Sequence, residues 1–169
     1  NSTHPQTELL EASFDDEEEY DIWMADLRSR ASLLFKFIGN TEPQISARVL
    51  NARVQSVLAT HGNGDPANFV EPSNQQLTPK SDAVIQLEAL YQPMDNVIGG
   101  IPTWALELDN KQLANTDHKG RLRAEIRTQT RASLSELAQA LVSWNPSHVW
   151  LKFRRAQLLD TLKYYWKHD

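Results

Sequence analysis

The chain has 169 residues, of which 40% are hydrophobic and 23% charged, a composition that suits one globular domain and excludes a disordered chain. It has no Cys, which excludes disulfides, thiol catalysis and zinc held by thiolates, and no run of 18 apolar residues, so we expect no membrane span. The net charge of −5 conceals an asymmetry, because residues 111–169 hold 11 basic and 5 acidic residues, which suggests a charged partner without identifying it.

The N-terminal part of the chain is polar and then strongly acidic. Residues 1–14 show little periodicity, so we expect a flexible leader. Five consecutive acidic residues follow: Asp15, Asp16, Glu17, Glu18 and Glu19. Two interpretations of this acidic segment stay open. It is either a solvated first helical turn that the helix dipole favours or a surface for a basic partner.

An apolar repeat predicts the first helix over residues 16–38, because apolar side chains recur at steps of three and four. These residues are Tyr20, Trp23, Leu27, Ala31, Leu34 and Ile38. A second helix is predicted over residues 42–61, with Ile45, Val49 and Val57 among its apolar positions. Since the chain has only 6 Gly and few alternating apolar runs, the pattern indicates an all-α fold.

The corner between these two helices carries several helix-end signals. Gly39 or Asn40 is expected to end the first helix in the left-handed conformation. Thr41 then suits the N-cap of the second helix, and Gln44 can complete a capping box. Because so short a connection makes neighbouring helices antiparallel, we predict an αα-hairpin. Its apolar flanks need further helices to cover them.

A long connection separates the hairpin from the third predicted helix. Residues 62–78 are rich in turn-forming residues and are predicted to be a surface loop. The third helix is predicted over residues 79–98, with a kink at Pro93. Gly99 and Gly100 are expected to end it.

A second predicted loop, residues 99–118, is expected to be irregular, with Trp104 packed on the helices. The fourth helix is predicted over residues 119–144. Three basic residues in it recur every four positions and so share one face: Arg123, Arg127 and Arg131. Such a basic stripe is typical of nucleic-acid binding, and a solvated helix face is the alternative.

The fifth helix is predicted over residues 146–166, because Asn145 followed by Pro146 is a helix-start signal. Three basic residues lie near this start, where the helix dipole disfavours positive charge: Lys152, Arg154 and Arg155. That local cost makes them candidates for contact with a partner. The alternative is that they pair with acidic residues of a neighbouring repeat.

No catalytic or cofactor-binding motif is present in the sequence. The five His residues are scattered, and none has a second His at metal-binding spacing. Neither a nucleophile elbow nor a phosphate-binding glycine loop occurs. We therefore expect a protein that is not an enzyme and needs no cofactor or metal.

Several segments resemble nuclear exportins of the karyopherin-beta family, and those of the exportin-five type most. The acidic run with its flanking aromatics, residues 14–20 (FDDEEEY), leads into a helix containing residues 27–31 (LRSRA), as in a mid-chain segment of these receptors. Residues 87–90 (LEAL) stand where the family has Trp-Glu-Ala and a hydrophobic residue, and residues 141–146 (LVSWNP) resemble the end of a later helix. The Leu at position 87 and the long loops depart from the pattern. The resemblance covers most of residues 13–166.

The resemblance implies a fold of antiparallel helix pairs stacked as HEAT-like α-solenoid repeats over residues 15–166. It also implies a mid-chain fragment of an export receptor that binds Ran-GTP, protein or structured-RNA cargo and the Phe-Gly repeats of nucleoporins. Such receptors shuttle between nucleus and cytoplasm through the nuclear pore. No individual contact residue follows from the resemblance. A helical-repeat adaptor unrelated to transport and a helical RNA-binding module stay open as alternatives.

Overall fold

The computed structural model describes residue 14 and residues 16–61, 81–108 and 118–168. These ranges contain no strand, so the predicted all-α fold class is confirmed there. Seven helices form within them: α1 Glu17–Thr41, α2 Pro43–His61, α3 Asp82–Gly100, α4 Thr103–Leu106, α5 His118–Ser143, α6 Val149–Asp160 and α7 Lys163–Trp166. None of these described helices combines the length and the apolar composition that a membrane crossing requires.

The chain divides into two compact units, Asn1–Leu34 and Phe35–Asp169. The predicted leader, residues 1–14, lies outside the described residues except for Phe14. The predicted loop at residues 62–78 also lies outside them.

The first unit starts its helix with an N-cap. The Asp16 Oδ1 accepts a hydrogen bond from the Glu19 backbone N–H at 2.8 Å, which is the bond that an N-cap side chain makes in the first turn. The Phe14 ring centroid lies 5.4 Å from that of Tyr20 and 5.4 Å from that of Trp23. The cap and the aromatic cluster together fix the start of α1.

The apolar side chains of the first unit are largely exposed. Among the side chains that the structure describes between residues 18 and 34, none is buried. The large apolar side chains left exposed include Ile22, Leu27, Leu33 and Leu34. The helix predicted from the apolar repeat is therefore present, but its apolar seam forms no buried core within this unit.

The predicted αα-hairpin at the corner is wrong. α1 continues through Gly39 to Thr41, and only Glu42 separates it from α2. The Glu42 N–H donates to the Ile38 carbonyl at 2.9 Å, and the Glu42 carbonyl accepts from the Ser46 N–H at 2.9 Å. Helical hydrogen bonding thus continues on both sides of the junction. A reversing turn between antiparallel helices needs about two to five residues, and one residue cannot supply it.

The capping roles predicted for Thr41 and Gln44 are also wrong. Thr41 Oγ1 donates to the Phe37 carbonyl at 2.9 Å, a bond made inside α1. Gln44 Nε2 donates to Gln129 Oε1 on α5 instead of reaching back to the corner. The interruption between the helices coincides with Pro43, which has no N–H to donate to the preceding turn.

Two of the glycines expected to end helices lie at a close crossing. Gly39 does not end α1, which continues to Thr41, whereas α3 ends at Gly100 as predicted. A Cβ on Gly39 would collide with the backbone of Val97, and a Cβ on Gly100 would collide with the backbone of Lys36. The end of α1 and the end of α3 therefore meet backbone against backbone, an approach that requires residues without a Cβ.

The core of the second unit lies among four helices. α2 contacts α3 and α5, and α6 also contacts α3 and α5, so the four form a closed ring of neighbours. The short helices add to this ring, with α4 packed on α5 and α7 on α3. Each of the four contributes fully buried aliphatic side chains, for example Val54, Leu87, Leu137 and Leu158. Each such side chain stabilises the fold by about 1.5–3 kcal/mol.

The predicted loop at residues 99–118 is partly helical. Its first two residues complete α3, and Thr103–Leu106 form α4. Ala105 and Leu106 are buried in the core. Trp104 is partly buried and packs against the core, as predicted. The single turn of helix is what brings these three side chains onto α5.

The last predicted helix, residues 146–166, starts later and is broken. α6 begins at Val149, where His148 Nδ1 accepts a hydrogen bond from the Trp150 N–H at 3.2 Å and acts as the N-cap. Helix resumes as α7 after an interruption at Thr161. The cap was missed because His is not among the residues that favour N-caps.

Candidate functional site

The three arginines of the predicted basic stripe lie on α5, whose ends differ from the prediction by one residue each. Arg127 is buried, with only 5% of its surface exposed. Arg131 is half-buried, and its Nη1 donates to the carbonyls of Leu106 and His168, the second at 3.3 Å. This face of α5 is therefore packed against other parts of the second unit.

Two arginines of the stripe also lie over aromatic rings. The Arg123 guanidinium carbon is 5.5 Å from the Trp104 ring centroid, and that of Arg131 is 5.4 Å from the Tyr165 ring centroid. Such cation–π contacts contribute about 0.5–2 kcal/mol each. Of the three stripe residues, Arg123 alone is exposed. The stripe thus cannot offer three guanidinium groups to one partner.

The basic residues of α6 also have internal partners. Arg154 pairs with Glu88 of α3 and donates to Gln157 Oε1 at 2.8 Å. Its guanidinium carbon lies 4.9 Å from the Trp150 ring centroid. Arg154 therefore pairs with an acidic residue of another helix in the same unit, whereas the alternative considered from the sequence placed the acidic partner in a neighbouring repeat.

Arg155 caps the C-terminal end of α5. Its Nε donates to the Leu141 carbonyl at 2.9 Å, and its Nη2 donates to the Val142 carbonyl at 2.5 Å. These carbonyls belong to the last turn of α5, where helical partners are lacking. Lys152 is exposed, so it is the residue of this basic group best placed to meet a partner.

The acidic segment lies at the start of α1. Asp16 provides the N-cap, and Glu17 is the first residue of the helix. Glu18 and Glu19 are exposed, whereas Asp15 lies outside the described residues. Carboxylates in a first turn interact favourably with the helix dipole, which agrees with the first of the two interpretations.

An apolar groove that the sequence did not single out lies in the second unit. It has a volume of about 260 Å³ and is formed by the end of α1, the first half of α2 and the middle of α3. It is lined by Phe35, Ile38, Ile45, Ser46, Val49, Leu50, Arg53, Pro93 and Val97. Ile45 and Val49 are both exposed and lie one helical turn apart, so they share one face of α2.

Only one charged side chain lines this groove. It is Arg53, whose Nη2 donates to Gln86 Oε1 of α3. Arg48 is exposed on α2 but is not among the lining residues. Within the described residues, neither guanidinium has a carboxylate partner.

A wider groove lies between α2 and the end of α5. Its volume is about 700 Å³, and its lining mixes amides and a hydroxyl with aliphatic groups. Asn51 Nδ2 donates to Glu136 Oε2 at 2.8 Å across the same pair of helices. This groove can form hydrogen bonds, but it lacks the continuous apolar surface of the smaller one.

The described residues show no arrangement typical of an active site. No group of three or more His, Asp or Glu residues within them is placed to hold a metal ion. The hydrogen bond to Asp160, at 2.9 Å, raises the pKa of the exposed Lys163. That pair lies at the surface, and neither residue lines either groove. The apolar groove is therefore the candidate site.

Comparison with known proteins identifies no relative. No family model, no curated protein and no solved structure matches this chain.

Proposed function

We propose that the chain is a non-catalytic binding scaffold from a nuclear export receptor of the karyopherin-beta family, similar to the exportin-five type. The observation that carries the proposal is the ring of α2, α3, α5 and α6. The ring consists of two helix pairs, α2 with α3 and α5 with α6, and the two helices of each pair follow one another along the chain. The two pairs pack side by side, and the single turn of α4 lies between them in the sequence. Two successive HEAT-type repeats make the same set of contacts.

The outer surface of this ring supports a continuing stack of helix pairs. Val149 and Phe153 of α6 are exposed, as is Val142 near the end of α5. Such side chains are unusual on a closed surface but are suited to packing against a further pair. We therefore propose an α-solenoid of antiparallel helix pairs.

The partners follow from the resemblance of residues 14–20, 87–90 and 141–146 to exportins. In this proposal the receptor binds Ran-GTP together with protein or structured-RNA cargo, contacts the Phe-Gly repeats of nucleoporins, and shuttles between nucleus and cytoplasm. The acidic segment at the start of α1 is the part of the chain best suited to a basic partner. Of the candidate basic residues on α5 and α6, Arg123 and Lys152 remain exposed and are suited to an acidic one.

The proposal is tested by measuring whether the complete receptor, of which this chain would be a part, retains Ran. The immobilised receptor is offered Ran bound to a non-hydrolysable GTP analogue and, as the control, Ran bound to GDP. We expect retention of the GTP form alone. Equal retention of both forms, or retention of neither, would contradict the export function and favour an adaptor unrelated to transport.

The RNA-binding alternative loses support from the internal partners of the arginines. Arg127 is buried, and Arg131, Arg154 and Arg155 are engaged with carbonyl or carboxylate groups. A titration of RNA binding against salt separates this alternative, because a protein that neutralises several phosphates shows a steep salt slope. We expect a slope near zero for this chain alone, whether or not the complete receptor carries RNA cargo, and a steep slope for the chain alone would favour the RNA-binding module.

A further inference from the structure

We propose that a second copy of this chain covers the apolar seam of α1, so that the two α1 helices pack antiparallel about a twofold axis. In the first unit this seam consists of Tyr20, Trp23, Leu27, Ala31 and Leu34. The inference goes beyond the proposed function and uses none of its partners, so either proposal can fail while the other holds.

The seam of α1 needs a neighbour that the described part of the first unit does not supply. α1 is the only helix there, and Phe14 covers Tyr20 and Trp23 only in part, with its ring centroid 5.4 Å from each of theirs. Trp23 stays 37% exposed and Leu27 46% exposed. Because the stability of a helix in water comes mostly from packing of its apolar face, this seam favours a partner helix.

The charges of α1 are sorted by sign along the helix. The segment from Glu17 to Asp26 contains five acidic residues and no basic one, whereas the segment from Leu27 to Leu34 contains Arg28 and Arg30 and no acidic residue. Antiparallel copies place the acidic half of each helix beside the basic half of the other. Parallel copies would place like charges together, so the charge pattern selects a second copy in the antiparallel orientation.

Two pairs of opposite charge agree on one register for these copies. Asp21 and Arg28 lie on one flank of the seam, and Glu19 and Arg30 lie on the other. A twofold axis between antiparallel helices keeps each flank opposite the same flank of the second copy. Both pairs have their midpoint between residues 24 and 25, so a single position of the axis brings each acidic residue opposite its basic partner.

The four charged side chains of this register are accessible to a second copy, because all are exposed. Arg30 already pairs with Asp26 of its own helix at 2.7 Å, with the two side chains 77% and 54% exposed. Glu19 and Arg28 also interact within the chain. Contacts between exposed charges contribute little to stability, so these can be exchanged for contacts across the interface.

Sedimentation equilibrium of the full chain over a wide range of concentrations measures the association. We expect a reversible equilibrium between monomer and dimer. Arg28→Glu combined with Arg30→Glu makes α1 acidic throughout the first unit, so we expect dimerisation to weaken at least about tenfold. Arg48→Glu combined with Arg121→Glu is the control, because it changes the net charge equally at exposed positions of the second unit. A monomer at every concentration, or equal weakening by both variants, would overturn the proposal.

A complementary variant tests whether the occupant is a second copy. Glu19→Lys combined with Asp21→Lys should also weaken dimerisation, because it places Lys opposite Arg28 and Arg30. An equimolar mixture with the Arg28→Glu, Arg30→Glu variant restores opposite charges at all four positions. We expect the mixed dimer to be at least about tenfold more stable than the dimer of either variant alone. Circular dichroism verifies that each variant is helical, and a mixture that associates no better than its components would overturn the proposal.

Disulfide crosslinking tests the orientation, because the chain has no Cys of its own. Met24→Cys places a thiol beside the proposed axis, where it meets its counterpart, so we expect mild oxidation to link the two copies. Ala31→Cys is the control, since Ala31 is also partly buried. In the proposed register it lies about 20 Å from its counterpart along the helix, well beyond the reach of about 7 Å for a disulfide. Any pattern other than a link at Met24→Cys alone would overturn the antiparallel pairing.

Discussion

α1 and α5 are nearly equal in length, at 25 and 26 residues, yet they differ in which side chains they expose and which they bury. In α1 the apolar Leu34 is 55% exposed, whereas in α5 the charged Arg127 is only 5% exposed. α5 has α2, α4 and α6 packed on it, and these neighbours cover its arginine-bearing face as well as its leucines. An amphipathic pattern thus defines the faces of a helix, while burial depends on which faces have neighbours.

The same contrast separates the basic residues of the chain. Arg131 and Arg155 satisfy carbonyl oxygens of other segments and so act as structural links. Arg48, by contrast, is exposed, and Arg53 lines the apolar groove. Arg is well suited to the first role because its planar guanidinium offers five N–H donors in a fixed arrangement. Charge alone therefore does not distinguish a structural arginine from one available to a partner.

The largest expected effect comes from equal truncations in the two long helices. Leu137→Ala in α5 removes a side chain with no exposed surface, and we expect it to lower the free energy of unfolding by about 2–5 kcal/mol. Leu34→Ala in α1 is the matched control, with an expected change of no more than about 0.5 kcal/mol. Urea unfolding followed by circular dichroism measures both. Comparable losses would show that Leu34 is covered in solution.

Arg131→Gln tests whether an arginine of α5 acts as a structural link. The variant loses charge-assisted hydrogen bonds to the carbonyls of Leu106 and His168, and we expect a loss of stability of about 1.5–3 kcal/mol. Arg121→Gln on the same helix is the control, because Arg121 is exposed. The two are compared by denaturant midpoint. If both variants were equally stable, the link would contribute nothing.

Gly100→Ala tests the close crossing of α1 and α3. Its Cβ would collide with the Lys36 backbone, so we expect a cost of about 1–3 kcal/mol in stability. Gly99→Ala is the control, since its Cβ would lie 3.3 Å from the ring of Tyr164, an exposed side chain that can shift. That change should be neutral or stabilising, because Ala favours helix over Gly by about 1 kcal/mol. Calorimetry measures both, and equal destabilisation would argue against the crossing.

The smallest effect concerns the surface pair of Lys163 and Asp160. The hydrogen bond to Asp160 raises the pKa of Lys163, so the pair contributes stability at neutral pH that is lost as the pH rises through the raised pKa. Asp160→Asn should lower the pKa of Lys163 toward its ordinary value. An NMR titration of the Lys163 side chain measures the change. No difference from the wild type would mean that the pair does not form in solution.

Much of the secondary structure could be predicted from the sequence, because apolar periodicity is a local signal. The predicted helix over residues 42–61 differs from α2 by one residue at its start, and the one over residues 119–144 differs from α5 by one residue at each end. Gly39 was one source of error, whereas Gly99 and Gly100 do end α3. A glycine such as Gly39 suits a helix end and also suits a close helix crossing, and only the position of the neighbouring helix decides between the two.

The candidate site could not be predicted because its parts are distant in the sequence. The groove combines residues from α1, α2 and α3, including Phe35, Val49 and Pro93. The basic stripe, by contrast, was visible as a local repeat, but the carbonyl partners of Arg131 lie 25 and 37 positions away. The exposure of Ile45 and Val49 on one face of α2 was the signal that could have pointed to the groove.

The crossing at Gly39 and Gly100 has a consequence for amide hydrogen exchange. Backbone packed against backbone shields the carbonyls of Val97 and Lys36 from water, so the nearby amides exchange with deuterium only when the two helices separate. At Pro93 the same helix lacks one internal bond. α3 should therefore take up deuterium unevenly, slowly in its final turn and faster around its proline, which makes that final turn a local reporter of whether the helices stay together.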